Sequence, residues 1–303
     1  MNKYWSFFKL VRWPNLLITA LMMCLVYHCL MQMDGNAAFT LLVISMVLVQ
    51  AGGYVVNDIF DKEIDAINKP EKLIVGRIFT EKQCNFFYFV LTFIGLGCAL
   101  ASSIIATGRH FITIFACMAL LACLLYSYSK RYKKKLVIGN LIVSLSVAFA
   151  VFVPWILETL HVLNDEVLLT AYQPMLRSSL HFVLIYTFFA FLMNLIREIV
   201  KDMEDVNGDE RSSCRTIPIV WGMKVAQIIV ITLCFVTCVM IWNAANYFSV
   251  LGLETARYML YASGFLLVSI VVLGNVMKFY LQSTVLKISM LIGVLSMFFI
   301  KIC

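Results

Sequence analysis

The chain has little charge, and its cysteines and histidines form no recognisable ligand pattern. Only 14% of its 303 residues are charged, whereas 62% are hydrophobic, and the mean hydropathy is +0.91. A soluble protein of this length would expose too much of that apolar surface, so the composition predicts membrane spans. None of the ten cysteines forms a CxxC pair and most lie in apolar runs, which indicates small hydrophobic helix residues rather than zinc ligands or disulfides.

Nine apolar segments are long enough to cross a bilayer as helices. The first follows three basic residues, as in a signal peptide, but its length predicts a membrane helix that is retained. We therefore predict an all-α integral membrane protein of about nine transmembrane helices, built as one polytopic domain over residues 1–303. The predicted cores are residues 15–33, 37–57, 84–106, 110–128, 136–160, 179–200, 222–245, 257–274 and 284–302.

The basic residues alternate with these spans. The N-terminal tail and every second connection together hold 20 of the 24 lysines and arginines. This bias predicts that the N-terminus and those connections are cytoplasmic, in the cell membrane if the source is prokaryotic. The net charge of +7 has the same explanation, and without a basic domain it does not indicate a nucleic-acid partner.

Nine of the 17 acidic residues lie in two short stretches on that predicted cytoplasmic side. The stretches follow helices 2 and 6, so they are four helices apart. This spacing predicts two four-helix halves, about 15–128 and 136–274, plus a ninth helix over 284–302. In such an arrangement the acidic stretches would face each other across a central cavity.

The first acidic stretch reads NDIFDKEID over residues 57–65. If it continues helix 2, Asn57, Asp61 and Asp65 are spaced i, i+4, i+8 and lie along one stripe, with Asp58 on its flank. One amide and several carboxylates suit Mg²⁺, which prefers oxygen ligands and completes its shell with water or substrate phosphate. These four residues are candidate metal ligands.

The second stretch reads REIVKDMEDVNGD over residues 197–209. Asp205 and Asp209 are again i, i+4, Asp202 lies one turn earlier, and Gly208 is expected to let the backbone bend. Two such stripes predict metal ions with a diphosphate between them. The competing interpretations are solvated helix ends and an ion or proton site, which would usually place its acids nearer the bilayer midplane.

A third pair follows helix 4, where Tyr126 and Lys130 are also i, i+4. A phenol and an ammonium on one helix face could contact a phosphate oxygen. An aromatic belt with a snorkelling lysine explains the pair equally well, so both interpretations stay open. The basic residues that come next are expected only to anchor the loop to anionic lipid; they are Arg131, Lys133, Lys134 and Lys135.

At these residues the chain resembles the UbiA superfamily of intramembrane prenyltransferases. The family motif N-D-x-x-D-x-x-x-D is matched from Asn57 to Asp65, D-x-x-x-D by Asp205 and Asp209, and Y-x-x-x-K by Tyr126 and Lys130. The runs NDIFDKEIDAINKP and REIVKDMEDVNGDE are most similar to digeranylgeranylglyceryl phosphate synthases. One departure is Lys72-Leu73-Ile74-Val75, where that branch has Arg-Pro-Ile-Pro; the lost prolines are expected to loosen the loop.

The resemblance implies Mg²⁺-dependent transfer of a polyprenyl group, geranylgeranyl in that branch, from its diphosphate to a lipophilic acceptor such as geranylgeranylglyceryl phosphate. The implied metal and catalytic residues are Asp61, Asp65, Asp205 and Asp209, supported by Asn57, Asp58 and Asp202. The implied substrate-binding residues are Arg12, Asn15, Lys72, Arg77, Tyr126, Lys130 and Arg197, with Tyr54, Phe60 and Asn194 as further cavity candidates.

Two other functions remain open at this point. Within the same reaction class, the acceptor could be an aromatic quinone precursor. A cation-coupled transporter is the alternative from another class, but its usual broken helices with paired prolines are not evident at Pro14, Pro154 and Pro218. The expected partners are the prenyl diphosphate, the acceptor and the lipid bilayer, and the sequence leaves the oligomeric state open.

Overall fold

The computed structural model describes residues 3–68, 70–107 and 112–300, and nearly all of these residues are helical. Within them, nine helical segments are long and apolar enough to cross a membrane, which confirms the predicted fold class. The segments are Trp13–Leu30, Ala37–Phe60, Glu81–Ala106, Ile112–Lys130, Ile138–Val162, Glu166–Glu204, Met223–Val250, Glu254–Leu273 and Phe279–Phe299. The predicted start of the fourth span at residue 110 and the predicted end of the ninth at residue 302 lie outside the described residues.

Thirteen α-helices, numbered α1 to α13, occur in the described part of the chain. They are Lys3–Leu10, Trp13–Leu25, Ala37–Phe60, Lys62–Asn68, Glu81–Thr107, Ile112–Lys130, Ile138–Val162, Glu166–Glu204, Val206–Arg211, Ile217–Val220, Met223–Val250, Glu254–Leu273 and Phe279–Ser296. A π-helical turn, Val26–Leu30, extends α2 to complete the first span.

Helix α8 is the largest departure from the predicted boundaries, because it covers 39 residues where the sequence predicted 179–200. The carboxylate of Asp165 accepts hydrogen bonds from the backbone amides of Val167 and Leu168, so it caps the start of the helix. This capped first part of α8 is too polar for a hydropathy pattern to include it in a span.

The chain separates into two compact units. The first contains Met1–Cys24, Asp34–Lys133 and Val153–Arg177. In it α3 packs along α5, and α6 contacts both. Gly52 and Gly53 permit this approach, because an added Cβ would lie 2.5 Å from the Thr92 hydroxyl and 2.9 Å from Leu125 respectively. The predicted division into two four-helix halves stays a prediction.

A hydrophobic core in the first unit joins α1, α3 and the start of α5 to the loop between α4 and α5. Leu10, Val55, Val75 and Phe79 are among its buried members. The loop turns at Gly76, whose φ of 82° favours glycine, and the amide of Gly76 donates to the carbonyl of Phe79 at 2.7 Å. The loop lacks the prolines that the resemblance led us to expect, but apolar packing anchors it.

The second unit contains Leu25–Met33, Lys134–Phe152 and Ser178–Cys303. In it α12 packs against both α11 and α13. Buried hydroxyls link pairs of helices: those of Ser263 and Ser289 lie 2.8 Å apart, and those of Tyr186 and Ser296 lie 2.6 Å apart. Such interhelical hydrogen bonds are favoured where lipid offers polar groups no alternative partner.

Candidate active site

The first acidic motif lies where α3 ends and α4 begins. Helix α3 ends at Phe60, and Asp61 is its C-cap residue, with φ −88° and ψ −1°. The helical ladder nevertheless continues, since Asp61 N donates to Asn57 O at 2.9 Å and Asp65 N donates to Asp61 O at 2.8 Å. The i, i+4 spacing read from the sequence is therefore built into the backbone, with a break in the helix at Asp61 that the sequence did not predict.

Asp61 is buried and is held by two donors. The Asn57 amide donates to Asp61 Oδ2 at 2.6 Å, and the Lys133 ammonium forms an ion pair with the same oxygen. The side chain of Asp61 is only 5% exposed and that of Lys133 is 25% exposed. The expectation that Lys133 only anchors its loop to lipid is therefore wrong, because its charge neutralises a buried carboxylate of the motif.

Arg12 lies in the turn between α1 and α2 and contacts the same motif. Its Nη2 donates to Asp58 Oδ1 at 2.8 Å, and its guanidinium lies 4.8 Å from the centre of the Tyr54 ring. Burial lowers the pKa of Arg12, but the Asp58 carboxylate offsets this, so the pKa lies above its ordinary value. Asn15 reaches the Tyr54 hydroxyl at 3.5 Å. Arg12, Asn15 and Tyr54 thus form one cluster beside Asp58.

Tyr126 and Lys130 lie on α6, near an aromatic cluster. The Tyr126 ring stacks on Tyr88 at 6.1 Å and meets Phe60 edge-on at 6.0 Å. The Lys130 ammonium lies 5.6 Å from the centre of the Tyr126 ring, and the lysine itself is exposed. The pair therefore shares a helix face as its spacing predicted, and Phe60 places it next to the end of α3.

The loop between α4 and α5 carries two predicted diphosphate contacts. Arg77 is exposed and donates to the carbonyl of Pro70 at 3.4 Å, so this contact stays within the loop. The side chain of Lys72 lies outside the described residues. Lys62 pairs with Glu81 at 2.7 Å and packs over Gly76, which ties the loop to the helices on either side of it.

The second acidic motif has the same backbone design as the first. Helix α8 ends at Glu204, Asp205 follows it, and α9 begins at Val206. Asp205 N donates to Lys201 O at 2.9 Å, and Asp209 N donates to Asp205 O at 3.2 Å. The bend predicted at Gly208 occurs at Asp205 instead. Gly208 is a buried residue inside α9.

Side chains around the second motif form two polar groups. Asn140 of α7 donates to Asp202 Oδ2 at 2.7 Å, and the Asn140 carbonyl accepts from Ser144, which in turn accepts from Asn194. Separately, Arg197 and Lys201 both donate to the buried carboxylate of Glu198, at 3.2 Å and 3.0 Å. The Arg197 predicted to bind substrate is thus partly neutralised by its neighbour.

The oxygen atoms of the first motif fit a divalent cation. Asn57 Oδ1 is buried and has no hydrogen-bond partner among the described residues. The amide nitrogen of the same side chain contacts the Asp61 carboxylate. Among the described residues no three acidic, histidine or cysteine side chains form a preassembled metal cage. Mg²⁺ usually takes one or two carboxylates and completes its shell with water and substrate phosphate.

The whole chain can be compared with known proteins. The model of the UbiA prenyltransferase family matches residues 15–300. The digeranylgeranylglyceryl phosphate synthase of Sulfolobus acidocaldarius is 30% identical over 226 residues, covering 74% of this chain and 72% of that protein. The enzyme of the same name from Methanothermobacter thermautotrophicus is 28% identical over 235 residues, covering 76% and 70%.

Solved structures show the same fold. A structure described for digeranylgeranylglyceryl phosphate synthase is 22% identical, covers 98% of both chains and superposes with a TM-score of 0.66. A UbiA homologue from Archaeoglobus fulgidus, bound to GPP and Mg²⁺, is 13% identical and superposes with a TM-score of 0.67 over 97% of this chain and 98% of its own.

Spanning helices that end in acidic motifs, with cations and aromatic rings around the first of them, define a polytopic membrane prenyltransferase. The chain belongs to the UbiA prenyltransferase family. Its reaction is therefore the transfer of a prenyl group, and a transporter is no longer a competing function.

The sequence interpretation missed Lys133 and Asn140. Lys133 is one of five cations within residues 130–135, so no local feature distinguished it from its neighbours. Asn140 offered a usable signal, because an amide near the start of a membrane-spanning helix is costly in a membrane and therefore often functional.

Proposed function

We propose that the protein transfers a geranylgeranyl group from its diphosphate to geranylgeranylglyceryl phosphate in the presence of Mg²⁺. The observation that carries the proposal is the Asn57–Asp61–Asp65 ladder, in which Asp61 is buried and the amide oxygen of Asn57 has no partner in the part of the chain that the structure describes. The named relatives support the acceptor, and the homologue bound to GPP and Mg²⁺ supports the diphosphate and the metal. We also propose that both acidic motifs and the N-terminus face the cytoplasm.

Each group of residues has a separate role in this proposal. Asn57, Asp58, Asp61 and Asp65 of the first motif, with Asp202, Asp205 and Asp209 of the second, supply the oxygen ligands. Bound Mg²⁺ would neutralise the diphosphate and make it a better leaving group. Arg12, Lys130, Lys72 and Arg77 supply positive charge toward the diphosphate.

The aromatic cluster of Phe60, Tyr88 and Tyr126 has a different role. Its rings lie beside the end of α3, where they would exclude water from an allylic cation. The half-buried Asn15 and Tyr54 lie next to Arg12, where they would hold the head of the substrate in place.

The decisive experiment incubates purified protein with Mg²⁺, prenyl diphosphates of several lengths and a panel of acceptors, and identifies products by mass. We expect digeranylgeranylglyceryl phosphate as the main product. Asp61→Asn and Asp205→Asn should each reduce turnover by at least about 100-fold, because each removes a ligand charge that stabilises the leaving diphosphate. EDTA should abolish turnover in the unmodified protein.

Two results would change the proposal. Efficient prenylation of an aromatic acceptor, with none of the glyceryl phosphate, would replace the acceptor and keep the reaction class. Full turnover by folded Asp61→Asn and Asp205→Asn proteins would remove the metal role from both motifs.

A further inference from the structure

Two cations would compete for one oxygen atom of Asp61. The Lys133 ammonium pairs with Asp61 Oδ2, the same atom that accepts from the Asn57 amide. The proposed function requires Asp61 to bind a divalent cation through its carboxylate. Since both donors already converge on Oδ2, a metal ion that uses this oxygen has to displace the lysine.

The environment makes this competition strong. Asp61 is 5% exposed, and an unneutralised carboxylate in such a place is costly. Lys133 removes that cost when no metal is present. The lysine lies in the 3₁₀ turn Tyr132–Lys134, which begins two residues after the last residue of α6, and its long side chain can move without a change in any spanning helix.

We infer that Lys133 is a positioning residue that occupies the metal ligand Asp61 until substrate arrives, so that it weakens the binding of metal in the absence of diphosphate. The inference rests on the proposed function. A diphosphate carries enough negative charge to accept the displaced ammonium, so the metal and the diphosphate would bind together more tightly than the metal alone. Lys133 would thereby favour metal–diphosphate complexes over free metal ions.

The test is a titration of the purified full-length protein with Mn²⁺ alone, in which unbound Mn²⁺ is measured by electron paramagnetic resonance. Lys133→Gln and Lys133→Met remove the competing charge, and Lys133→Arg keeps it. Lys134→Gln is the matched control, because it removes the same charge from the next residue, whose side chain is exposed. Asp61→Asn tests the ligand itself.

We expect Lys133→Gln and Lys133→Met to bind Mn²⁺ about tenfold more tightly than the unmodified protein. Lys133→Arg and Lys134→Gln should bind it with unchanged affinity. If Lys133 only stabilises the fold, Lys133→Gln and Lys133→Met will bind Mn²⁺ with weaker or unchanged affinity.

The outcomes separate the two proposals. If Mn²⁺ binding depends on Asp61 but is not tighter in Lys133→Gln and Lys133→Met, the competition is wrong and the metal role of Asp61 stands. If neither the unmodified protein nor Lys133→Gln and Lys133→Met binds Mn²⁺, the competition is likewise wrong. If Asp61→Asn binds Mn²⁺ as well as the unmodified protein does, the proposed metal site is wrong and the inference falls with it.

Discussion

Arg12 is held in a conformation that few residues other than glycine adopt. Its φ of 53° places it in the left-handed region, which costs a residue with a Cβ about 1–2 kcal/mol. The side chain offsets this cost through its ion pair with Asp58 and its contact with the Tyr54 ring. Strain that is kept in this way is typical of functional positions.

Two substitutions separate the effect of the backbone conformation of Arg12 from the effect of its charge. Arg12→Gly relieves the strain and removes the guanidinium, whereas Arg12→Lys keeps a charge without the planar fork. We expect Arg12→Lys to lower kcat/KM for the prenyl diphosphate about tenfold, which corresponds to roughly 1.4 kcal/mol, and Arg12→Gly to lower it further. Steady-state kinetics measure both, and an Arg12→Gly enzyme as active as the unmodified protein would assign the turn a structural role only.

The contact between Asn140 and Asp202 can be measured as a coupling energy. Asn140→Leu leaves the Asp202 carboxylate without its amide donor, which should cost about 1–3 kcal/mol of stability. Asn140→Leu should cost less stability in a protein that already carries Asp202→Leu, because neither partner is then left unpaired. Thermal unfolding in detergent of the four proteins of the cycle gives the coupling, and Ser146→Ala, on the same helix, is the control. Additive losses would mean that the two residues do not interact.

For individual residues, the sequence predicted the contacts that follow from spacing within one helix. The Asn57–Asp61 contact and the shared face of Tyr126 and Lys130 both follow from an i, i+4 repeat. Lys133 contacts Asp61 across 72 positions, and Asn140 contacts Asp202 across 62. Spacing within one helix carries no information about such pairs, so only the folded chain reveals them.

Helix α3 approaches its neighbours through glycine. A Cβ on Gly52 would lie 2.5 Å from the Thr92 hydroxyl, so Gly52→Val should separate α3 from α5 and destabilise the protein by about 1–3 kcal/mol. Gly97 on α5 is the control, because a Cβ there would lie within 4 Å of no atom of the described residues. Gly97→Ala should be neutral or stabilising by up to about 1 kcal/mol. Unfolding temperatures measure both, and equal effects would contradict the close packing of α3 and α5.

For the helices, hydropathy located the nine spans found in the described part of the chain and misjudged several of their ends. The extension of α8 is polar and depends on the Asp165 cap, which a hydropathy window does not register. The helix breaks at Asp61 and Asp205 were also missed, because the i, i+4 pattern of the acids continues through both breaks. Periodicity therefore identifies which residues share a face without showing where the helix is interrupted.

The distribution of charge over the whole chain leads to a prediction about its orientation. Because 20 of the 24 basic residues lie on one side of the predicted topology, we expect the N-terminus and the connection after α3 to be cytoplasmic. Green fluorescent protein fused at the N-terminus should fluoresce. Alkaline phosphatase fused after Asp34, in the first external connection, should be active. The reverse pattern of the two reporters would invert the membrane topology and place both motifs outside.

For the whole molecule, composition and charge alternation were sufficient to predict the fold class, since a bilayer admits few arrangements of a chain this apolar. The choice of acceptor is encoded less directly. The identity of the acceptor depends on how side chains that are distant in the sequence shape a binding site. The spacing of residues within the motifs does not predict that shape.

The backbone bonds that cross Asp61 and Asp205 make the spacing of the carboxylates a property of the helices rather than of any bound ion. The amide protons of Asp65 and Asp209 should therefore exchange slowly with solvent whether or not an ion is present. An enzyme from which a chelator has removed the ion would then be inactive but still folded. Its activity would return on readdition of the ion as fast as the ion binds, with no refolding step in between.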